Sequence, residues 1–507
     1  MDNSEEFNKF VANNSIPVRV GSFVALLVIC YFLWSVVYNL FISPLRHIPG
    51  PRLWAISPIF QAWSQLTGYG HKNMLEIHKK YGTAVRVGPN AVAFSSSQAW
   101  KDCNGHRKSG QSENLKEPSF FNSVPQSLIT ADSQNHRHMR RLIAHGFSQA
   151  SMIAQEPLIR RYVDLLFQRL REHSAQGKPV DVVRWYNYTT FDIIGDLTFG
   201  ESFGCLESST MHSWVAMIFK QFKEIQLIGQ IKRAYPFSQS LVNTVVKRLA
   251  AQALRNHKIL VENKVKQRLA LEGGRPDFMN AMITPDAKGQ PAMSYQQLLD
   301  NADLLIGAGS ETTATTLSGI TSLLCAHPDV YAKMYNEVKT TFATEEEITL
   351  LSVQSLDYMK AVIDEGLRIY PAAGGTSPRV MAEGGGTIDG IYLPAGTIID
   401  LWHWSTYHDP ANFKDPESFI PERWLGDPRF DSDDKEAFQP FSLGGRNCIG
   451  KNLAYSEMKL ILARLTWNYD IALEYEKDKS WAYNQQLLGL WSKPPLFIRM
   501  VPRDKVF

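Results

Sequence analysis

Residues 441–450 read Phe441-Ser442-Leu443-Gly444-Gly445-Arg446-Asn447-Cys448-Ile449-Gly450, followed by the helix-forming run Asn452–Leu465. One cysteine sits among glycines, two residues after an arginine, and its sulfur falls at a helix N-terminus. Free backbone N–H groups and the helix dipole favour negative charge there, and a thiolate is the form that ligates metal. A thiolate with no second Cys or His ligand nearby suits the axial position of a haem iron, where it favours O–O cleavage. Gly444 can take the positive φ of a tight turn, and Gly450 lets backbone approach a flat macrocycle. Arg446 can reach a propionate and Phe441 can shield the sulfur. Two other readings fit the same residues. A lone Cys in a Gly-rich loop is commonly a small buried hydrophobe. Gly445-x-x-x-x-Gly450-Lys451 also matches most of a phosphate-binding loop, although Asn452 stands where Ser or Thr should hold magnesium.

The ten residues together resemble the haem-binding signature of the cytochrome P-450 superfamily, Phe-x-x-Gly-x-Arg-x-Cys-x-Gly. Phe441, Gly444, Arg446, Cys448 and Gly450 match every fixed position. The resemblance implies a mainly α fold with small β-sheets (α+β) and a haem b whose proximal metal ligand is Cys448.

The chain has 507 residues, 44% hydrophobic and 11% aromatic, which is ample for a large core. Fifty-three basic and 50 acidic residues leave a net charge of +3, so nothing points to a nucleic-acid partner. Cys30, Cys103, Cys205, Cys325 and Cys448 are scattered and odd in number, which suits a reducing compartment around the folded domain.

Val20–Ile42 is almost wholly apolar and uncharged. As a helix it would reach roughly 35 Å, enough for a bilayer core of about 30 Å. It is expected to be a single transmembrane anchor (20–42) behind a short lumenal tail (1–19). Arg46 and Arg52 on its C-terminal side place the domain that follows in the cytosol. A Pro-rich hinge (43–52) stops the helix, and one catalytic domain (53–507) follows. The same kind of hinge follows the anchor in microsomal members of the family, which implies an endoplasmic reticulum membrane. Asn13-Asn14-Ser15 is a glycosylation sequon next to the membrane.

Ala84–Val87 and Ala91–Phe94 read as a strand pair turning at Gly88-Pro89-Asn90, and helical periodicity dominates from about Gln98. His136 and Arg140 lie four apart on one helix face. They resemble the family's Trp-x-x-x-Arg pair on a haem propionate, with His136 in place of the tryptophan; an ordinary solvated basic face fits equally. Phe191–Gly200 reads as core helix. Lys247, Arg248, Arg255, Lys258, Lys264, Lys266 and Arg268 read as a solvated face. Between Phe219 and Phe237, apolar residues alternate with basic ones, as in a segment that dips into a membrane surface or in a plain helix pair.

Ser294-Tyr295-Gln296-Gln297 is a capping box opening an apolar helix that runs to about Ala326. Gly307 and Gly309 inside it each cost about 0.5–1 kcal/mol against alanine. A helix can tolerate that where a flat group lies on its backbone, or where small residues let helices pack. Glu311 and Thr312 then offer a carboxylate to relay protons and a hydroxyl to hydrogen-bond dioxygen. The stretch Ala308–Thr312 resembles the family's Ala/Gly-Gly-x-Asp/Glu-Thr motif. Glu365-x-x-Arg368 and Pro421-Glu422-Arg423 resemble the family's structural Glu–Arg–Arg network, which implies that Glu365, Arg368 and Arg423 lock the loop presenting Cys448. Arg379 resembles another propionate ligand. Asp389-Gly390 and Thr397–Leu401 read as a hairpin.

The resemblance implies a haem-thiolate monooxygenase that hydroxylates or epoxidises a hydrophobic small molecule. The phrasing around Thr190–Phe203, Glu365–Pro371 and Pro421–Trp424 resembles filamentous-fungal members acting on terpenoids, polyketides or alkaloids. G-x-G-x-x-G is absent, so electrons are expected from NADPH through a separate membrane reductase, docking near Arg141, Lys451 and Lys459. The pocket is expected around 112–125, 203–229, 303–312, 373–377 and 487–490. A desaturase or isomerase of the same family, and a non-catalytic haem-binding protein, are the alternatives.

Overall fold

The computed structural model describes residues 22–503 apart from 24, 28, 107–111, 119–126, 213, 215, 216, 218–227, 236, 237, 272–274, 286–288, 290 and 291. The tail with its sequon, most of the 219–237 segment, Gly273-Gly274 and much of the 112–125 loop lie outside the described residues. The chain is mainly helical, as its periodicity and the family resemblance imply. The principal helices are α1 (Ser133–Ala144), α2 (Gln149–Ser174), α3 (Val182–Phe199), α4 (Ala251–Leu269), α5 (Tyr295–Ala326), α6 (Asp357–Ile369) and α7 (Lys451–Asn468). One five-stranded sheet stands beside them, in the order β1 (Ala84–Gly88), β2 (Ala91–Phe94), β5 (Ile398–Leu401), β4 (Arg379–Val380), β3 (Leu115–Lys116).

α5 is the axis of the domain. Ser294 accepts from the Gln297 N–H while the Gln297 side chain accepts from the Ser294 N–H, so both ends of the capping box form. Of its 32 residues 22 are buried, and α3, buried at every position but Arg184, packs along it. Gly309 is explained by that packing. A Cβ there would stand 2.6 Å from Ile194 Cδ1 on α3, so a neighbouring helix already disfavours a side chain at this position.

Two expectations change, and the weak phosphate-loop reading loses its support. Asp389-Gly390 does turn a hairpin, of 386–388 with 391–393, but β5 leaves it and pairs in parallel with β2. Arg268 is not solvated: its buried guanidinium donates twice to Asp277, at 2.8 and 3.0 Å. No strand precedes Gly445; 435–437 and 444–446 are 3-10 turns, so the strand that a phosphate-binding loop needs is missing.

Among the described residues one helix, Ala25–Ile42, is long and apolar enough to cross a membrane, and almost none of it is buried. Its C-terminal end is fastened to the sheet. Arg86 of β1, 2% exposed, donates to Asn39 O at 2.6 Å, Asn39 Oδ1 at 3.0 Å and Ser43 Oγ at 3.3 Å.

Glu365 and its arginines form the network the resemblance implies. Glu365 Oε1 accepts from Arg368 Nη2 (2.8 Å), Arg423 Nε (3.2 Å) and the Ile420 N–H (3.0 Å). Its Oε2 accepts from Arg368 Nε (2.9 Å) and Trp424 Nε1 (3.0 Å). All three charged side chains are fully buried, and Asp433 supplies Arg423 with a second carboxylate. Removing one member of a buried charge network costs about 3–5 kcal/mol, because its partners stay buried and uncompensated. Glu365→Gln should therefore lower stability by roughly that amount in denaturant unfolding, whereas a loss within about 0.5 kcal/mol, typical of a surface substitution, would contradict the network.

Candidate active site

The Cys448 loop is built by backbone constraint. The Cys448 N–H donates to Phe441 O at 2.8 Å, closing the loop on itself. Gly444 sits at φ +70°, and a Cβ there would lie 2.0 Å from Asn104 O. No other residue fits that position. Gly450 differs: its φ is −83°, and a Cβ there would find only Phe147 Cε1 at 3.8 Å and Cys448 Sγ at 3.9 Å. A side chain there would stand at ordinary contact distance from the sulfur and the Phe147 ring. The Phe441 ring is half-buried against Tyr455, with centroids 5.3 Å apart.

The Cys448 side chain is accessible yet surrounded by protein. Burial raises its thiol pKa, and this outweighs the backbone N–H groups of Gly450 and Lys451 and the charges of Arg140 and Lys451, which pull the other way. The expected helix N-terminus is present, but burial outweighs it; a metal cation held by Cys448 would favour the thiolate. α7 begins just past this loop and packs on α5. In the middle of otherwise buried α5, Ala308 is exposed and Gly309 and Thr312 are half-exposed. The Thr312 hydroxyl donates to Ala308 O at 2.8 Å. Glu311 points the other way, buried, with Lys493 Nζ 2.8 Å from its Oε1.

Beside the loop lies a set of cations. Arg446 donates to Glu113 through Nη2 (2.8 Å to Oε1) and Nε (3.2 Å to Oε2), and to Ala131 O at 3.0 Å. Arg140 grips Asn447, next to Cys448, through both its carbonyl (2.6 Å) and its side-chain oxygen. Lys116 and Arg379 are register partners on β3 and β4, and Arg379 Nε is buried with no hydrogen-bond partner. Burial, then the charges of Arg446, Arg140 and Lys116, push buried His136 down to about 4, so it stands neutral among them. Among the described residues, three arginines and Lys116, whose ammonium burial disfavours, thus gather near the Glu113 carboxylate. That excess of arginine and the orphaned Arg379 Nε suit a dianionic group, as the propionates of a haem are.

α1 brings His136 and Arg140 together, the Cys448 loop adds Arg446, and the sheet adds Arg379. Glu113, Lys116 and Lys493 went unnoticed in the sequence; no periodicity marks them, and only strand pairing and the fold of the C-terminal segment bring them in. Leu487 Cδ2 lies 3.4 Å from where a Gly374 Cβ would stand, so the 373–377 and 487–490 walls adjoin. Asp303 is committed to an ion pair with His257 Nε2 at 2.9 Å. Lys459 is no surface docking cation: it is 3% exposed and donates to Gln354 O.

Glu113 gives the site a pH signature. Burial raises its pKa, but hydrogen bonds from Arg446 and Ser133 and the Arg446 charge bring it from 4.5 down to about 2. The unfolded chain binds that proton first, so the stabilisation is complete above about pH 4.5 and fades as pH falls toward 2. Glu113→Gln should flatten the acid limb of the stability profile in that interval; an unchanged limb would contradict the pairing.

A sequence profile described as Cytochrome P450 matches residues 48–499. The chain is 45% identical to a trichothecene C-15 hydroxylase of Fusarium sporotrichioides, over 94% of this chain and 96% of that one. It is 41% identical to an averantin hydroxylase of Dothistroma septosporum, over 98% and 94%. It is 38% identical to a versicolorin B desaturase of Emericella nidulans, over 97% and 99%. Coverage that nearly spans each protein leaves one assignment: the chain belongs to the cytochrome P450 family, whose cofactor is a thiolate-bound haem, and it is a monooxygenase.

Proposed function

We propose that the protein is a membrane-anchored monooxygenase of secondary metabolism, taking two electrons from NADPH through a separate reductase. It inserts one oxygen atom into a hydrophobic terpenoid, polyketide or alkaloid intermediate. The balance is RH + O2 + 2e− + 2H+ giving ROH + H2O. Cys448 is the metal ligand; Arg140, Arg379, Arg446 and Lys116 hold the haem carboxylates, with neutral His136 packed among them. Phe441 and Gly450 flank the sulfur. The bound haem supplies dioxygen activation, and the chain supplies position, protons and a dry pocket.

The observation that carries this reading is Thr312 on α5. Its hydroxyl faces open space at the middle of a buried helix that packs on the helix following Cys448. From there it can orient dioxygen and pass a proton to it, with Glu311 next in the relay. The apolar walls near Gly374 and Leu487 select a hydrophobic substrate. Arg141 and Lys451, both exposed, remain as docking cations for the reductase. Residues 20–42 form a single-pass anchor in the endoplasmic reticulum membrane, with residues 1–19 lumenal, 43–52 a hinge and 53–507 the cytosolic catalytic domain. The desaturase among the relatives favours a second reading, removal of two hydrogens from the substrate in place of insertion.

The test uses purified protein with a reductase and NADPH, against a panel of apolar metabolites ranked by substrate-induced difference spectra. For the best binder, Thr312→Ala should divert a large share of the NADPH consumed into peroxide while binding is kept. Undiminished product per NADPH, with no added peroxide, would remove Thr312 from the reaction.

A further inference from the structure

Glu311 and Thr312 are neighbours in sequence but not in direction. Thr312 faces the open space, whereas the Glu311 side chain is 3% exposed and turned toward the C-terminal segment. Lys493, 6% exposed, meets it there: Nζ lies 2.8 Å from Glu311 Oε1 and donates to Thr315 Oγ1 at 2.8 Å. Thr315, one turn along α5, also donates to Glu311 Oε1 at 3.3 Å. Glu311 Oε2 is buried with no partner. Tyr370, whose phenol donates to Gln485 at 2.8 Å, is the other titratable group facing this carboxylate.

We propose that Lys493 is a positioning residue for the proton relay: it holds Glu311 ionised and turned away from Thr312, and releases it as a neutral acid. This rests on the monooxygenase role given above to Glu311 and Thr312. The geometry allows one inexpensive release. Breaking the pair as ions would leave an uncompensated buried charge, which is strongly unfavourable. Moving the Lys493 Nζ proton along the existing hydrogen bond to Glu311 Oε1 leaves a neutral amine and a neutral carboxyl. The carboxyl can then rotate toward Thr312 and give up that proton, and it returns as a carboxylate when solvent has reprotonated the amine. No electron moves, and one proton passes per cycle.

Lys493 also sits where it can sense the pocket. It follows directly on the hairpin Leu487–Leu488 with Leu490–Trp491, whose Leu487 lies against Gly374 and Gly375. A ligand pressing on that wall shifts the chain two residues from the lysine. Burial raises the Glu311 pKa and Lys493 opposes it, so loss of the lysine should leave the acid protonated.

The experiment is infrared difference spectroscopy on the full-length holoprotein across pH, beside the coupling assay. In Lys493→Met, a buried carboxylic C=O band should persist well above the pH at which the wild-type band is lost, and Glu311→Gln should abolish it in both backgrounds. Peroxide per NADPH should rise several-fold in Lys493→Met and return toward wild type in Lys493→Arg. If Lys493→Met binds haem poorly, Lys493→Gln, which keeps a donor to Glu311 and Thr315 without the charge, carries the same readout. A Glu311 band that titrates alike with and without the lysine charge overturns the proposal. Glu311→Gln with wild-type coupling would instead overturn the relay itself.

Discussion

One carboxylate, Glu365, accepts five hydrogen bonds in the dry interior, and the Cys448 loop depends on what those bonds hold. Arg368 passes the constraint on through Nη1, which donates to Tyr407 O and Pro416 O. The Tyr407 hydroxyl accepts from the Gln439 N–H at 3.0 Å, and Gln439 O accepts from Ser442 at 2.9 Å. Phe441, between them, accepts from Cys448 itself. Trp424 adds a second route, its ring 4.6 Å from that of Phe438. A buried ion network of this kind adds little net stability over an apolar core. What it does here is fix one loop conformation, and the position of one sulfur needs only that.

The second constraint is electrostatic and lies on the other side of the loop. Arg140, Arg379, Arg446 and Lys116 come from a helix, a strand, the loop and a second strand, and of these Arg446 is paired with the Glu113 carboxylate. Like charges gathered this closely oppose folding unless a dianion joins them. The burial that raises the Cys448 thiol tells the same story, since the thiolate is stable there once a cation accepts it.

Much of this was legible in the sequence because it is local. The capping box at Ser294, the end of the long helix at Ala326, the Asp389-Gly390 turn and the positive φ at Gly444 each follow from a few adjacent residues. The Glu365–Arg368 pair follows from i,i+3 spacing on one helix, whereas the third member, Arg423, was legible only through family resemblance. What escaped is non-local. Arg268 and Lys459 sit in runs that look solvated, but Arg268 is buried onto Asp277, 9 residues on beyond the end of its helix, and Lys459 onto the Gln354 carbonyl, 105 positions earlier. Gly309 owes its missing side chain to Ile194, over a hundred positions earlier. Lys493 meets Glu311 only because the C-terminal hairpin folds back onto α5.

The most direct measurement is the absorbance spectrum of the purified full-length protein after reduction and exposure to carbon monoxide. A Cys448 thiolate on the haem iron predicts the strongly red-shifted Soret band of thiolate ligation, lost in Cys448→Ala. A colourless protein, a band at the wavelength of imidazole ligation, or the same shifted band in Cys448→Ala would contradict it.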